Sequence, residues 1–131
     1  MPKDFSFTDT YIPTQAELEQ MKQMVPKLTQ AVKHDAGKPP MALLSRTALE
    51  EVAKVMAFGA QKYAAHNWRS GFKWSRTLDA AVRHLYAFID GEDKDPESGL
   101  SHLAHAMCCL MFTLEFEKTH PELDDRWKSP E

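Results

Sequence analysis

The 131-residue chain has few β-branched residues: two Ile and five Val stand against 12 Leu, 15 Ala and seven Met. Ile and Val favour strands, whereas Leu, Ala and Met favour helices, so a sheet-based fold is not expected. Cysteine is limited to the adjacent pair Cys108 and Cys109. Neighbouring cysteines cannot staple distant parts of a fold, which excludes a disulfide framework and makes a reducing cytoplasm the expected compartment. No apolar run approaches the ~20 residues needed to cross a bilayer. The opening residues, MPKDFSFTDT, lack the apolar core of a secretory signal, so neither membrane nor export is expected. Positive charge is not in excess either. A formal net charge of −3 gives no general attraction to a nucleic-acid polymer. The length suits a single domain, 1–131, with 1–13 and 120–131 as peripheral arms.

Histidine, by contrast, is plentiful: there are six, and His66, His84, His102 and His105 fall within one stretch. Around them the pattern is helical. Thr14 and Glu17 form a T-x-x-E capping box, followed by Leu18, Met21, Val25, Leu28 and Val32 at helical spacing, with Pro26 expected to kink or split the segment. Lys33–Pro40 is a loop, because Gly37 and the Pro39–Pro40 pair break regular structure. It reads either as a solvated connector or as a phosphate-gripping loop carrying Lys33, Asp35 and Lys38.

A second helix is expected from about Thr47 to Ala64, capped by Thr47 with Glu50 and burying Leu49, Val52, Val55 or Met56, and Gly59. Ser75 is expected to cap a third helix running to about Asp90, with Leu78, Val82, Leu85 and Ile89 as its stripe and Gly91 as its C′ residue. Asp95-Pro96 then reads as the start of a fourth helix. That helix is apolar on both sides, with Leu103, Met107, Leu110 and Leu114 on one face and His102, His105, Cys109, Phe112 and Phe116 on the other. Such a helix is central to a bundle or part of a dimer interface. The expected fold is an all-α bundle of four or five antiparallel helices.

Antiparallel packing brings polar residues to one level. His102 and His105, spaced i, i+3, share a face and sit near the same end as His84. The start of the second helix meets this end, which places Glu51 beside the three His, with Asp95 and Glu97 nearby. Neutral imidazoles and carboxylates suit a borderline divalent cation, and bundle cores commonly house one. Taken singly, a His on a helix face is more often a hydrogen-bonded core or surface residue than a ligand. The loop with Asn67, Trp68 and Trp74 offers groups that could hydrogen-bond to and stack on a base, or simply plug the open end of the bundle.

The motifs K-x-D-x-G-K-P-P at Lys33–Pro40, F-G-A-x-K-Y at Phe58–Tyr63, N-W at Asn67–Trp68, R-H-L at Arg83–Leu85 and G-E-D-x-D-P-E-S-G-L-x-H-L-A-H-A at Gly91–Ala106 form a series. Together they resemble the phage dATP/dGTP diphosphohydrolase family. The resemblance implies cleavage of a purine deoxynucleoside triphosphate to the monophosphate and pyrophosphate, with a divalent metal, in the host cytoplasm. It also implies a relationship to the all-α, oligomeric pyrophosphohydrolases of the MazG type. Those carry E-E-x-x-E and E-x-x-D, whereas here Glu50-Glu51 is followed by Val52, Ala53 and Lys54, and His102-Leu103-Ala104-His105 stands where E-x-x-D is expected. Imidazole ligands favour Mn²⁺, Co²⁺ and similar ions over Mg²⁺.

The resulting expectation is a metal-dependent pyrophosphohydrolase acting in nucleotide-pool metabolism. Its metal ligands would be Glu51, His84, His102, His105 and Asp95, with Glu51 or Glu97 as general base. Lys33, Asp35, Lys38, Lys62, Tyr63, Asn67, Trp68 and Arg83 would bind the nucleotide, Tyr63 or Trp68 by stacking on the purine. A homo-oligomer, dimer or larger, is expected. The alternatives are a non-catalytic helical dimerisation module, and a His-rich metal phosphohydrolase that releases other products.

Overall fold

The computed structural model describes residues 11–28 and 30–131. Its α-helices are α1 (Gln15–Leu28), α2 (Arg46–Lys62), α3 (Trp74–Ile89) and α4 (His102–Thr119), joined by short 3₁₀ turns at Met41–Leu43, Asn67–Ser70 and Pro121–Leu123. No strand occurs among the described residues; Lys94 and Ser101 form an isolated bridge. The described residues therefore form an all-α fold with four helices. The chain divides into two units, Met1–Pro39 and Pro40–Glu131.

In the first unit, both halves of the expected capping box form. Glu17 Oε2 accepts the Thr14 N–H at 2.7 Å, and Thr14 Oγ1 accepts the Glu17 N–H at 3.3 Å. The helix then runs to Leu28 as one element, so of the kink or split expected at Pro26 the split does not occur. Leu18 and Met21, expected on a buried stripe, are exposed. The part of the expected arm before residue 11, and the side chains of Val25 and Leu28, lie outside the described residues. The loop after α1 is closed by the Lys38 N–H on the Asp35 carbonyl at 3.1 Å, with Gly37 at a φ of +80°.

In the second unit, α4 packs against both α2 and α3. Ser45 caps α2 by accepting the Ala48 N–H at 3.1 Å. The expected Thr47–Glu50 box is not made: the cap lies two residues earlier, and Glu50 pairs with Arg46 at 2.7 Å. Val52 and Val55 are buried against Ala104 and Cys108 of α4, while Leu49 stays exposed. A second cluster joins Trp68, Trp74 and the fully buried Phe116.

α3 and α4 run antiparallel, since Thr77 meets Thr113 at 2.7 Å near one end and His84 meets His102 at 2.8 Å near the other. The stripe that α3 buries is Trp74, Thr77 and Ala81. Of the expected stripe, Leu78 packs against the second cluster, while Val82, Leu85 and Ile89 are exposed. Small Ala81 and Thr77 allow close approach to α4, and the Thr77–Thr113 bond satisfies the hydroxyls there. On α4, Phe116 and His102 turn inward, whereas Leu103, Met107, Leu110 and Leu114 remain exposed.

Two expected helix starts are corrected. Ser75 is not a cap: Lys73 holds that position without a side-chain bond, and the Asp125 carboxylate accepts the Ser75 N–H at 2.9 Å and its hydroxyl. The negative charge there suits a helix N-terminus. Likewise, Asp95-Pro96 does not open α4, which begins at His102 behind Ser101, whose Oγ accepts the Leu103 N–H. Gly99, at a φ of +71°, reverses the chain instead, and the Asp95 N–H bonds the Leu100 carbonyl at 2.8 Å. The end of α3 matches expectation. Gly91 takes a φ of +101°, and Gly91 and Glu92 donate to the carbonyls of Phe88 and Ala87 in a Schellman motif. Residues 120–125 are tied in as well, since the Trp74 indole donates to the His120 carbonyl at 3.2 Å. Among the described residues no helix is long and apolar enough to cross a membrane.

Candidate functional site

The turn from α3 to α4 places a carboxylate against two imidazoles. His84 comes from the last turns of α3, His102 opens α4, and Asp95 lies in the reversal between them. Their ligand atoms lie within 4.8 Å of one another, an arrangement that could hold a metal ion. His102 is buried at 4% exposure. Its Nδ1 faces Nδ1 of His84 at 2.8 Å, and its Nε2 meets Glu92 Oε1 at 2.6 Å.

His105 belongs to the same assembly at one remove. Its ring stacks on His84 at 4.6 Å, its Nε2 bonds Ser98 Oγ at 2.7 Å, and Asp95 Oδ2 is 3.8 Å away. Burial pushes the pKa of both His84 and His105 down, and the neighbouring imidazoles add to this. The direction of both shifts favours the neutral ring, the state a ligand needs. Burial alone would raise the Asp95 carboxyl, but the Ser98 amide on Oδ2 at 3.0 Å and nearby His105 outweigh it and hold it below the usual range.

The donor set fits a divalent cation. Two imidazoles and one carboxylate make a borderline-soft site, and three protein ligands leave positions open for water or substrate. Such a set suits Mn²⁺ or Co²⁺ better than Mg²⁺, which prefers an oxygen cage.

This group borders a cleft of about 680 Å³ walled by α2, α3 and α4. The volume is within the range of small-molecule sites. Lys62, Arg76 and Arg83 line it, as do Asp95, Glu97 and His105. Lys62 and Glu97 pair at 2.7 Å, joining α2 to the α3–α4 turn. Tyr63, Asn67 and Phe72 supply the remaining polar and aromatic wall.

Several sequence-based assignments are thus brought together: His84, His102, His105, Asp95 and Glu97, with Lys62, Tyr63, Asn67, Trp68 and Arg83 around the same cleft. Glu51 is placed elsewhere. It pairs with Lys54 at 2.7 Å and borders a separate small hollow with Ser101 and Met107. Trp68 lines the cleft, but the residue is buried, its ring stacked on Phe112 at 4.5 Å and covered by the Arg69 guanidinium at 4.5 Å. Tyr63 and Phe72 are the more accessible aromatic groups. Lys33, Asp35 and Lys38 belong to the first unit. Sequence reasoning missed Glu92 and Ser98. The G-E-D run ahead of Asp95 was the available signal for Glu92.

A family described as dATP/dGTP diphosphohydrolase, N-terminal, matches residues 29–126. A dATP/dGTP diphosphohydrolase of Salmonella phage PMBT28 is 44% identical over 95 residues, which is 72% of this chain and 32% of that protein. The chain thus spans about a third of the length of that relative. No solved structure matches it. The chain belongs to the dATP/dGTP diphosphohydrolase N-terminal family.

Proposed function

We propose that the chain is a metal-dependent hydrolase of purine deoxynucleoside triphosphates, dATP or dGTP, yielding the monophosphate and pyrophosphate. The observation that carries this reading is the His84–Asp95–His102 group beside a cation-lined cleft in a member of this family. The activity comes by likeness to a longer protein, and the site geometry supports it independently.

A divalent cation on His84, Asp95 and His102 would supply a Lewis acid that lowers the pKa of a water and neutralises phosphate charge. Lys62, Arg76 and Arg83 counter the remaining charge of the triphosphate. Water attacks the α-phosphorus, the bond to the bridging oxygen breaks, and pyrophosphate leaves with the electron pair. Glu97 receives the water proton; its place in the cleft favours it over Glu51 for this role. As phosphate enters, Lys62 exchanges its bond to Glu97 for a phosphate oxygen, freeing the carboxylate. Tyr63 and Asn67 contact the base, and Trp68 shapes the wall. For Lys33, Asp35 and Lys38 the support is the sequence motif alone, and Lys38→Ala should raise KM if that motif grips phosphate.

The reaction is assigned to the cytoplasm and to a single domain, 1–131; the family match takes in residues 29–126, the end of the first unit and most of the second. A homo-oligomer is supported by the exposed apolar faces of α3 (Val82, Leu85, Ile89) and α4 (Leu103, Leu110, Leu114). The deciding experiment incubates pure protein with each of the four dNTPs plus Mn²⁺, Co²⁺ or Mg²⁺ and assays pyrophosphate and monophosphate. No release from any dNTP would sink the proposal. Free phosphate or whole triphosphate as product would move the chain to another hydrolase class. Light scattering checks the oligomer: Leu110→Glu with Leu114→Glu should yield monomer.

A further inference from the structure

We infer that Glu92 is a positioning residue: it locks His102 in the tautomer that leaves Nδ1, the atom facing His84, with its lone pair. This rests on the metal reading above and extends it to a residue outside the ligand group. Glu92 Oε1 lies 2.6 Å from Nε2 of His102. A carboxylate only accepts, so Nε2 carries the hydrogen, and in the neutral ring Nδ1 is left with its lone pair. That atom faces His84 Nδ1 at 2.8 Å.

The backbone explains why the geometry persists. The Glu92 N–H is held by the Ala87 carbonyl at 2.9 Å, so this carboxylate starts from the cap of α3. The His102 N–H is held by the Asp93 carbonyl at 3.1 Å, next in sequence to Glu92. Acceptor and imidazole are thus fastened to each other through main chain as well as side chain. Buried His102 cannot turn to water for an alternative partner. A hydrogen-bonded carboxylate behind a ligating imidazole also raises the basicity of the ring, and losing such a partner typically lowers metal affinity about 10–100-fold.

Glu92 itself is 55% exposed, so its replacement need not disturb the core. The test compares wild type, Glu92→Ala and Glu92→Gln, with unfolding curves confirming that each variant folds. In metal-free protein, ¹⁵N NMR of the imidazoles should show His102 as the Nε2–H tautomer in wild type and a mixture in Glu92→Ala. Co²⁺ affinity should fall about 10–100-fold in Glu92→Ala and be largely restored in Glu92→Gln, whose amide oxygen still accepts. An unchanged tautomer and unchanged Co²⁺ affinity in Glu92→Ala would overturn the inference while leaving the metal reading intact. A wild-type protein that binds no Co²⁺ would overturn the metal reading and this role together.

Discussion

His84 and His102 approach through their Nδ1 atoms at 2.8 Å, one from the last turns of α3 and the other from the first residue of α4. Two lone pairs cannot face each other at that distance without a proton or a cation between them. The contact is therefore the point at which fold stability and the proposed metal binding meet.

Replacing either ring should show this. His84→Ala and His102→Ala are expected to lose Co²⁺ binding by more than the roughly 10–100-fold typical of an outer partner. His102→Ala should also lower thermal stability, because it opens a hole at a buried position and strips Glu92 of its donor. Glu51→Ala, with its carboxylate outside the group, should bind Co²⁺ as wild type does. Isothermal titration reads all three.

The imidazoles should separate on an NMR pH titration of metal-free protein. His84 and His105 have folded pKa values lowered chiefly by burial, so they stay neutral below the ordinary value of 6.5. The unfolded chain then binds more protons than the native one in the window just below 6.5, and stability contributed by these rings falls as pH drops through it. His120 shows the opposite sign. Its bonds to Glu122 and to the Arg69 carbonyl favour the imidazolium, so its pKa is raised and its contribution fades as pH climbs through that raised value. Finding His120 below His84 would contradict the geometry.

Phe116 is completely buried between Trp68 and the C-terminal turn. Phe116→Ala should cost about 3–5 kcal/mol in urea unfolding. Since Trp68 walls the cleft, the same variant should weaken nucleotide binding without touching a ligand.

Gly71 occupies a φ of +94° and a ψ of +148°, a region open in practice to glycine alone. A Cβ there would meet Leu123 Cδ1 at 2.6 Å and the His120 ring at 3.1 Å. Gly71→Ala should therefore cost about 1–3 kcal/mol, read as a drop in Tm. Gly91→Ala, with open space around it, should show the backbone strain alone.

Much of this protein was legible in its residues. Helix type and approximate place follow from the scarcity of Ile and Val and from the 3.6-residue spacing of Leu, Met and Ala, which are local properties. Gly91 as the C′ residue and the Thr14–Glu17 box are local too, and both are present. The meeting of His84, His102 and Asp95 was foreseeable because a short connection forces α3 and α4 to run antiparallel, which sets their level.

What only the tertiary structure decided is rotation and reach. Period alone does not say which of two neighbouring stripes on α3 meets α4. The closer approach permitted by Thr77 and Ala81 chose the stripe and left Val82, Leu85 and Ile89 outside. A helix start read from Asp-Pro gave way to a reversal at Gly99, which carries Asp95 back toward the imidazoles. Glu51 lay at the right level but on the wrong bearing, and Glu92, silent in the spacing, was brought in by the cap of α3. Level along a helix is set by counting residues, whereas bearing around it is set by the side chains packed between helices, and that information is not local.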